Sequence, residues 1–424
     1  MRLFLHELKK IWRPGILLAI IVINVMFGYV FTSHIPLASI TSKDFNSDLA
    51  VLTELREEYG GELDYDEWLD AHKYWDKYFA DMDEFIIGNP LYENEGIYSG
   101  ADLWEFRNNY APDGEFKTEE EAQEYYDYFH NMMNPFFGGE YEELSNYAVW
   151  KLQSLDFLME QLVLFHEDET YLDDFINLTF TYENGEFISR TAERHSALLR
   201  NNTSDDAYKT LFPGWIVNLF YDYMELVIVI AIISVGIFVL PFVTRDRHSQ
   251  MTAMQYSSKT GRKIVQVQFS AALLSALAMT LILISVYVAV FITANSDFIP
   301  FVNAKIATVI FSNILPWWNM IFMQYIALHA IMATVLTVGT AAVLFFMSLH
   351  SRDYITLLLK SLPVMTAIGF IGIVLVNEAF TAYGMMYWTL PIIGIEFIIS
   401  GIVLLIGLGL CVFACKRVTK KDLL

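Results

Sequence analysis

Cysteine is scarce in this sequence. Cys411 and Cys415 are its only two cysteines, and both lie near the end of the last apolar run. The long polar segment at residues 34–214 has none, so no disulfide within the chain can brace it. Because no further His or Cys accompanies the pair to complete a metal site, we interpret both as small packing residues.

Sequence motifs of common enzymes are also missing. There is no Gly-x-x-x-x-Gly-Lys-Ser/Thr phosphate loop, so the chain cannot cradle ATP in that way. Gly-x-Ser-x-Gly is absent, and His6-Glu7 has no second His that would complete a His-Glu-x-x-His zinc motif. These absences disfavour the commoner membrane hydrolases. We therefore expect no enzyme activity, catalytic residue, metal or cofactor on this chain.

Basic residues are few in the polar segment, which has 40 acidic residues against 11 basic ones. The rest of the chain has 9 acidic and 16 basic residues, so the formal net charge of −22 comes from this one segment. The spacing of its apolar residues predicts mainly α-helix, with one hairpin around Asn184-Gly185. Its aromatic residues, such as Tyr74, Trp75, Tyr78 and Phe79, have a helical spacing that favours a packed core over a ligand platform.

Long apolar runs dominate the rest of the chain. Hydrophobic residues make up 55% of the sequence, and the mean hydropathy is +0.37. Six runs approach or exceed the roughly 20 residues that a bilayer requires. They lie at residues 14–31, 216–243, 264–293, 318–347, 354–376 and 390–415.

The first apolar run resembles a signal peptide because Lys9, Lys10 and Arg13 precede it. Its core is longer than usual, and no small-x-small cleavage site follows at residues 32–36. We therefore predict a retained transmembrane helix at residues 14–33. Before it, residues 1–13 have Leu5 and Leu8 on one helical face and Glu7 with the lysines opposite, which predicts an amphipathic helix at the membrane interface.

Lysine and arginine mark one side of the predicted membrane topology. They are concentrated before the first span, between the second and third, just after the fourth, and in the tail at residues 416–424. The positive-inside rule assigns this side to the cytoplasm, so both termini are cytoplasmic and residues 34–214 form an acidic extracellular domain. We predict an all-α polytopic protein of the cell membrane with six transmembrane helices, five of them within residues 215–415, and a mainly α-helical extracellular domain.

Three carboxylates lie within or near the outer ends of the predicted spans. Asp222 and Glu225 are in the second span, and Glu396 is in the sixth. Burying a carboxylate in lipid is costly, so each should face a cavity or a partner. They are candidates for a translocation path, although a structural hydrogen-bonding role explains them equally well.

The loop at residues 244–263 is the most informative segment for function. It is basic, and Met251 and Met254 are spaced to form an adaptable apolar knob on a short helix. Such a knob on a rigid span suits mechanical coupling to a soluble partner, but any inner loop is basic. The residues of interest are Arg245, Asp246, Arg247, Met251, Met254, Ser257, Ser258, Gly261, Arg262 and Lys263.

The same residues resemble the coupling-helix region of ABC-2-type (type-2 exporter) ABC transporter permeases, especially those of Gram-positive bacteria. These permeases commonly have an acidic or arginine-rich start, a helix with Met or Leu, and then Ser-Ser-x-x-Gly-Arg entering the next span. The layout is similar too: an amphipathic start, one span, an outer insert and five further spans. The run His248-Ser249-Gln250 departs from the Glu and Gly-Thr found in many relatives.

This resemblance implies the membrane-spanning permease subunit of an ATP-driven transporter, acting as an exporter. ATP and Mg would bind a separate ABC ATPase subunit that contacts the loop at 244–263, and a second permease copy would complete the assembly, with membrane lipid around it. No nucleic-acid partner is expected. The alternative is a receptor or sensor whose extracellular domain binds a ligand and signals through a partner protein.

Overall fold

The computed structural model describes residues 2–32, 43–109, 123, 126–128, 132, 145–167, 209–248, 264–308, 314–351, 353–381 and 392–420. The hairpin predicted around Asn184-Gly185 lies outside these residues. The described part of the chain has no β-strand, and only isolated antiparallel bridges join extended residues there. An all-α fold is therefore confirmed for this part of the protein.

The helices form an N-terminal pair, a polar domain and an apolar bundle. The pair consists of α1 (Arg2–Ile11) and α2 (Pro14–Phe27), which is followed by a π-helical turn (Gly28–Thr32). The polar domain contains α3 (Lys43–Tyr59), α4 (Tyr65–Ala71), α5 (Lys73–Ile86), α6 (Pro90–Glu93), α7 (Gly100–Asn109) and α8 (Ser145–Glu167). The bundle contains α9 (Trp215–His248), α10 (Ile264–Ala294), α11 (Phe322–His350), α12 (Tyr354–Val376) and α13 (Ile395–Lys420).

Five helices, α9 to α13, are long and apolar enough to cross a membrane. The sixth candidate span is α1 and α2 taken together, a pair bent by 41°. Pro14 explains the break, because proline fits the first turn of a helix but cannot continue a preceding one. The protein is thus a multi-pass α-helical membrane protein with five or six apolar helices, where the sequence predicted six.

Helix α1 packs against the bundle with a face that the sequence did not predict. Glu7, expected on the polar face, is buried, while Leu5 is half-exposed. The Glu7 carboxylate lies 2.7 Å from Lys10 Nζ and accepts a hydrogen bond of 3.3 Å from Gln268 Nε2 near the start of α10. These partners neutralise the buried charge and hold the N-terminal helix to the third predicted span.

Two glycines allow α11 and α13 to approach closely. A Cβ added to Gly339 would lie 2.8 Å from the backbone nitrogen of Leu404. A Cβ added to Gly407 would lie 2.8 Å from both the Gly339 carbonyl oxygen and Ala342 Cβ. One turn further along α13, Cys411 Sγ donates a 3.0 Å hydrogen bond to the Ala342 carbonyl oxygen. Small residues thus set the distance between these helices, as is common in membranes.

The polar domain packs around one face of α5. Tyr74, Tyr78 and Met82 recur every four residues and are buried, as expected for a helix facing a core. The Tyr78 hydroxyl donates to Glu54 at 2.9 Å, and Glu54 is paired with Lys151 of α8 at 2.6 Å. Helices α3, α5 and α8 are therefore joined by polar as well as apolar contacts.

The polar domain is docked on one end of the bundle, which we call the domain end. Gly61–Leu63 and Lys209–Leu211 pair at the base of the domain, where Leu63 N donates to Lys209 O at 2.8 Å and Leu211 N to Gly61 O at 3.0 Å. Glu62 also pairs with Lys305 of the segment between α10 and α11, at 2.5 Å. A single cluster of buried apolar residues runs from the domain into the spans.

We predict opposite effects from alanine at two glycines of α13. Gly407→Ala should lower stability by about 1–3 kcal/mol, because its Cβ would overlap α11. Gly409 has no atom within 4 Å of an added Cβ, so Gly409→Ala should raise stability by about 0.5–1 kcal/mol through helix propensity. Thermal unfolding of the detergent-purified variants measures both changes. Equal effects at the two sites would contradict the close approach of α11 and α13.

Candidate functional site

The three predicted carboxylates converge on one turn at the domain end. The turn follows α12 at residues 377–381, and its last residue forms a bridge with Pro316. Asp222 and Glu225 lie in the second and third turns of α9, and Glu396 lies in the first turn of α13. Residues far apart in the sequence therefore meet at a single feature, which we call the acidic turn.

The Glu396 side chain is buried and accepts a hydrogen bond from the backbone. It is 2% exposed, and its carboxylate accepts a 2.8 Å hydrogen bond from the backbone N–H of Phe380. Phe380 and Glu378 both have a left-handed backbone, with φ of 63° and 49°, which residues other than glycine rarely adopt. The Phe380 carbonyl accepts from Trp317 N at 3.0 Å. Glu396 thus helps to fix a strained turn, in keeping with the structural hydrogen-bonding role.

Asp222 and Glu225 face the other side of the acidic turn. Glu225 is half-exposed and accepts a 2.9 Å hydrogen bond from Asn377 Nδ2, while Asp222 is exposed. Burial raises the pKa of Glu378, and the nearby negative charge of Asp222 raises it further. Within the described residues, no lysine or arginine forms an ion pair with Asp222, Glu225 or Glu378.

An aromatic wall backs the acidic turn. The Phe380 ring lies 5.0 Å from that of His329, 5.2 Å from that of Phe397 and 6.3 Å from that of Tyr325. Tyr325 and His329 are fully buried one turn apart on α11. Among the described residues, the Tyr325 hydroxyl has no hydrogen-bond partner. The Val376 carbonyl lies near His329, but not in hydrogen-bonding geometry with Nε2.

The acidic turn concentrates negative charge at the domain end of the bundle. Carboxylates without basic partners produce a negative potential, which apolar walls strengthen by lowering the local dielectric. The described residues contain no group of His, Cys, Asp and Glu that could hold a metal ion.

The predicted coupling loop lies mostly outside the described residues. Arg245, Asp246 and Arg247 belong to the last turns of α9, which continues to His248, but their side chains are outside the description. Helix α10 begins at Ile264, directly after the loop. The remaining predicted residues fall outside the described part of the chain: Met251, Met254, Ser257, Ser258, Gly261, Arg262 and Lys263.

Sequence reasoning missed Asn377, Glu378 and Phe380. Asn377 and Glu378 directly follow an apolar run, where a polar residue is ordinary and carries no signal of its own. Nothing in the sequence indicates the left-handed backbone of Phe380, because aromatic residues rarely adopt it. The excess of acidic over basic residues at the outer ends of the spans is the one signal that could have pointed to this turn.

No family model matches the chain, and comparison with curated proteins and with solved structures also found no match. The resemblance to ABC-2 permeases therefore rests on residues 244–263 and on the order of the predicted spans, and it stays a prediction. Fold and site define a class: a multi-pass α-helical membrane protein with a polar domain inserted after its first apolar helix.

We predict that Glu396 acts through its acceptor oxygen more than through its charge. Glu396→Ala should lower stability by about 1–3 kcal/mol, because it leaves the buried Phe380 N–H without this acceptor. Glu396→Gln keeps an oxygen at the same place and should lose less than half as much. Unfolding temperatures of the two variants test this, and equal losses would show that the charge itself is required.

Glu378→Gln should stabilise the protein at neutral pH. Burial and the charge of Asp222 raise the pKa of Glu378 in the folded protein above its ordinary value of 4.5. The charged side chain therefore destabilises the fold, and this destabilisation grows as the pH rises from 4.5 through the pKa of the folded state. At pH 7.5 the gain should be about 0.5 kcal/mol, a small value because the side chain is half-exposed. At pH 4 the gain should vanish.

The pH dependence of unfolding for native chain and variant measures this effect. In a double-mutant cycle, Asp222→Asn should remove part of the gain from Glu378→Gln, because each carboxylate destabilises the other. A gain that persists unchanged at pH 4 would contradict the electrostatic cause.

Proposed function

We propose that this protein is the membrane-spanning permease subunit of an ATP-driven ABC exporter in the cell membrane. In this assignment its polar domain is extracellular, both termini are cytoplasmic, and a separate ATPase subunit binds the loop at residues 244–263. A second permease copy completes the transporter. The observation that carries the proposal is the Ser-Ser-x-x-Gly-Arg pattern of that loop, which directly follows the central helix of the bundle.

Helix α9 supports mechanical coupling. It is continuous over 34 residues, from Trp215 to His248, which corresponds to about 50 Å. It packs against α2, α10, α11 and α12, so a displacement of its end would reach most of the bundle. Pro241 lies within α9 near the loop, at a position where a helix can bend.

The same helix links the loop to the acidic turn. Asp222 and Glu225 lie at the far end of α9, so movement of the loop would move the carboxylates that face the turn. We assign these two residues to the translocation path, because they are exposed or half-exposed and lack basic partners in the described part of the chain. Glu396 contributes to the path indirectly, because its hydrogen bond to the Phe380 N–H holds the acidic turn in place.

The position of helix α1 is consistent with an ATPase subunit that binds at the cytoplasmic face. Its contact with α10 places the N-terminal helix beside the point where the loop enters the bundle. A force applied to the loop would therefore also act on α1. The buried Glu7 makes this contact specific, because its charge requires the partners found on α1 and α10.

Co-purification tests the proposal. The C-terminally tagged chain should be solubilised gently from its native host, and we expect an ATPase subunit in equal amount and ATP hydrolysis in the eluate. Gly261→Glu with Arg262→Glu adds three negative units of charge to the loop and should abolish both. Thr419→Glu with Lys420→Glu adds the same charge at the C-terminal end of α13 and serves as the matched control.

The two variants separate coupling from general electrostatics. Loss of the ATPase only in the loop variant would support the proposed contact, whereas equal loss in both variants would indicate a general effect of charge. A chain that purifies alone, stable and without ATPase activity, would contradict the permease assignment. The sensor with an extracellular ligand-binding domain would then be the better description.

A further inference from the structure

A cavity lies in the polar domain and shares no residue with the acidic turn. It is a cleft of about 740 Å³ between α4, α5, α7 and α8. This volume would admit a small molecule, but the cleft is wide open to solvent and would cover only one side of a ligand. The residues that carry the argument below are Trp75, Asp76, Phe79, Trp104 and Asp156. We call this cavity the aromatic cleft.

Aromatic side chains form its wall. Trp75 and Phe79 are one turn apart on α5 and only half-buried, whereas Tyr74 and Tyr78 on the neighbouring face of the helix are buried in the core. The part of Trp75 and Phe79 that the core does not cover faces the cleft, where the His72 ring also contacts that of Trp75 at 4.8 Å. Such side chains offer a large apolar area and an electron-rich ring face.

Two carboxylates in the cleft have no strong basic partner among the described residues. Asp76 and Asp156 are exposed, and neither forms an ion pair with a described residue. Partial burial, followed by repulsion from Glu160, raises the pKa of Asp156, and Arg107 opposes this only in part. These two charges are thus available to a ligand.

Among the described residues that line the cleft, the one lysine is already neutralised. Lys73 pairs with Asp70 at 2.8 Å and also with Glu58, so its charge is balanced within the domain. Nearby, the Arg107 guanidinium lies 4.5 Å from the centre of the Trp104 ring. This contact is a cation held on an aromatic face at the rim of the cleft, the same chemistry that a bound cation would use.

We infer that the aromatic cleft binds an organic cation, a guanidinium or ammonium group carried on an apolar or aromatic body. Only such a ligand gains from both the ring faces and the two carboxylates. An anion would be repelled by a segment with 40 acidic and 11 basic residues. A neutral apolar ligand would remove water from Asp76 and Asp156 without replacing their hydration. The inference concerns the polar domain alone and does not require the proposed function.

The test uses the full chain in discs of zwitterionic lipid, with empty discs as the blank. The probe is the peptide acetyl-Arg-Phe-Arg-Phe-amide, and the comparison peptide has citrulline in place of each arginine, which keeps the shape and removes the charge. Isothermal titration calorimetry should show saturable binding of the arginine peptide. The citrulline peptide should bind at least tenfold more weakly.

Matched variants locate the binding site. Asp76→Asn with Asp156→Asn should weaken binding of the arginine peptide at least tenfold, and Trp75→Leu should weaken it about threefold to tenfold, the size of a cation–π contact. Asp81→Asn with Glu84→Gln removes two exposed charges from α5 outside the cleft and should change the affinity less than twofold. Unfolding temperatures within a few degrees of the native chain would confirm that each variant is folded.

Three results would overturn the inference. They are equal binding of the arginine and citrulline peptides, equal weakening by the cleft and control variants, and no saturable binding by the native chain. The first would indicate an apolar site without charge selection. The second would indicate adsorption to the acidic surface as a whole, and the third would show that the cleft does not take such a cation.

Discussion

The structure depends on one constraint: backbone N–H and C=O groups within the lipid bilayer must be hydrogen-bonded. An N–H or C=O without a partner in lipid costs several kcal/mol, so the chain crosses as helices and can leave helical geometry only where other groups replace the lost bonds. The turn after α12 is such a place. The Phe380 N–H reaches the Glu396 carboxylate and its carbonyl reaches Trp317. A carboxylate within a predicted span therefore completes the backbone pairing of another helix end.

The sequence predicted the spans well because hydrophobicity alone determines which segments can enter lipid. It did not predict the roles of polar side chains, which depend on partners distant in the chain. Glu7 was expected on the polar face of α1, but Gln268, 261 residues away, allows it to be buried. Glu396 was identified as costly to bury, yet its partner is a backbone amide whose unusual conformation has no sequence signature. A local hydrophobic pattern indicates whether a helix lies in lipid or in water. The role of a polar side chain also depends on the residues that it contacts, which can be distant in the sequence.

Acidic residues are concentrated in the polar domain and are few in the bundle, and their contacts differ between these two parts. In the described part of the polar domain, acidic residues pair with lysines, as Glu54 does with Lys151, and Asp76 and Asp156 line the aromatic cleft. In the bundle, Asp222, Glu225, Glu378 and Glu396 lie at the end next to that domain, whereas Asp246 and Asp353 lie at the opposite end. The acidic turn and the aromatic cleft are thus two negative sites of the described chain, joined by one continuous apolar core.

The pairing of Gly61–Leu63 with Lys209–Leu211 brings together the two ends of the part of the polar domain that follows α3. The chain between these two segments forms a loop that is closed by their hydrogen bonds. The ion pair between Glu62 and Lys305 joins the base of this loop to the bundle. Because the closure holds the two ends in place, a change in the length of the chain between them need not move α9. The helices α5 and α8 within this part also pack against α3, which lies outside the closure. A replacement for that part of the domain would therefore have to keep the partners of α3, namely Tyr78 and Lys151, which both bind Glu54.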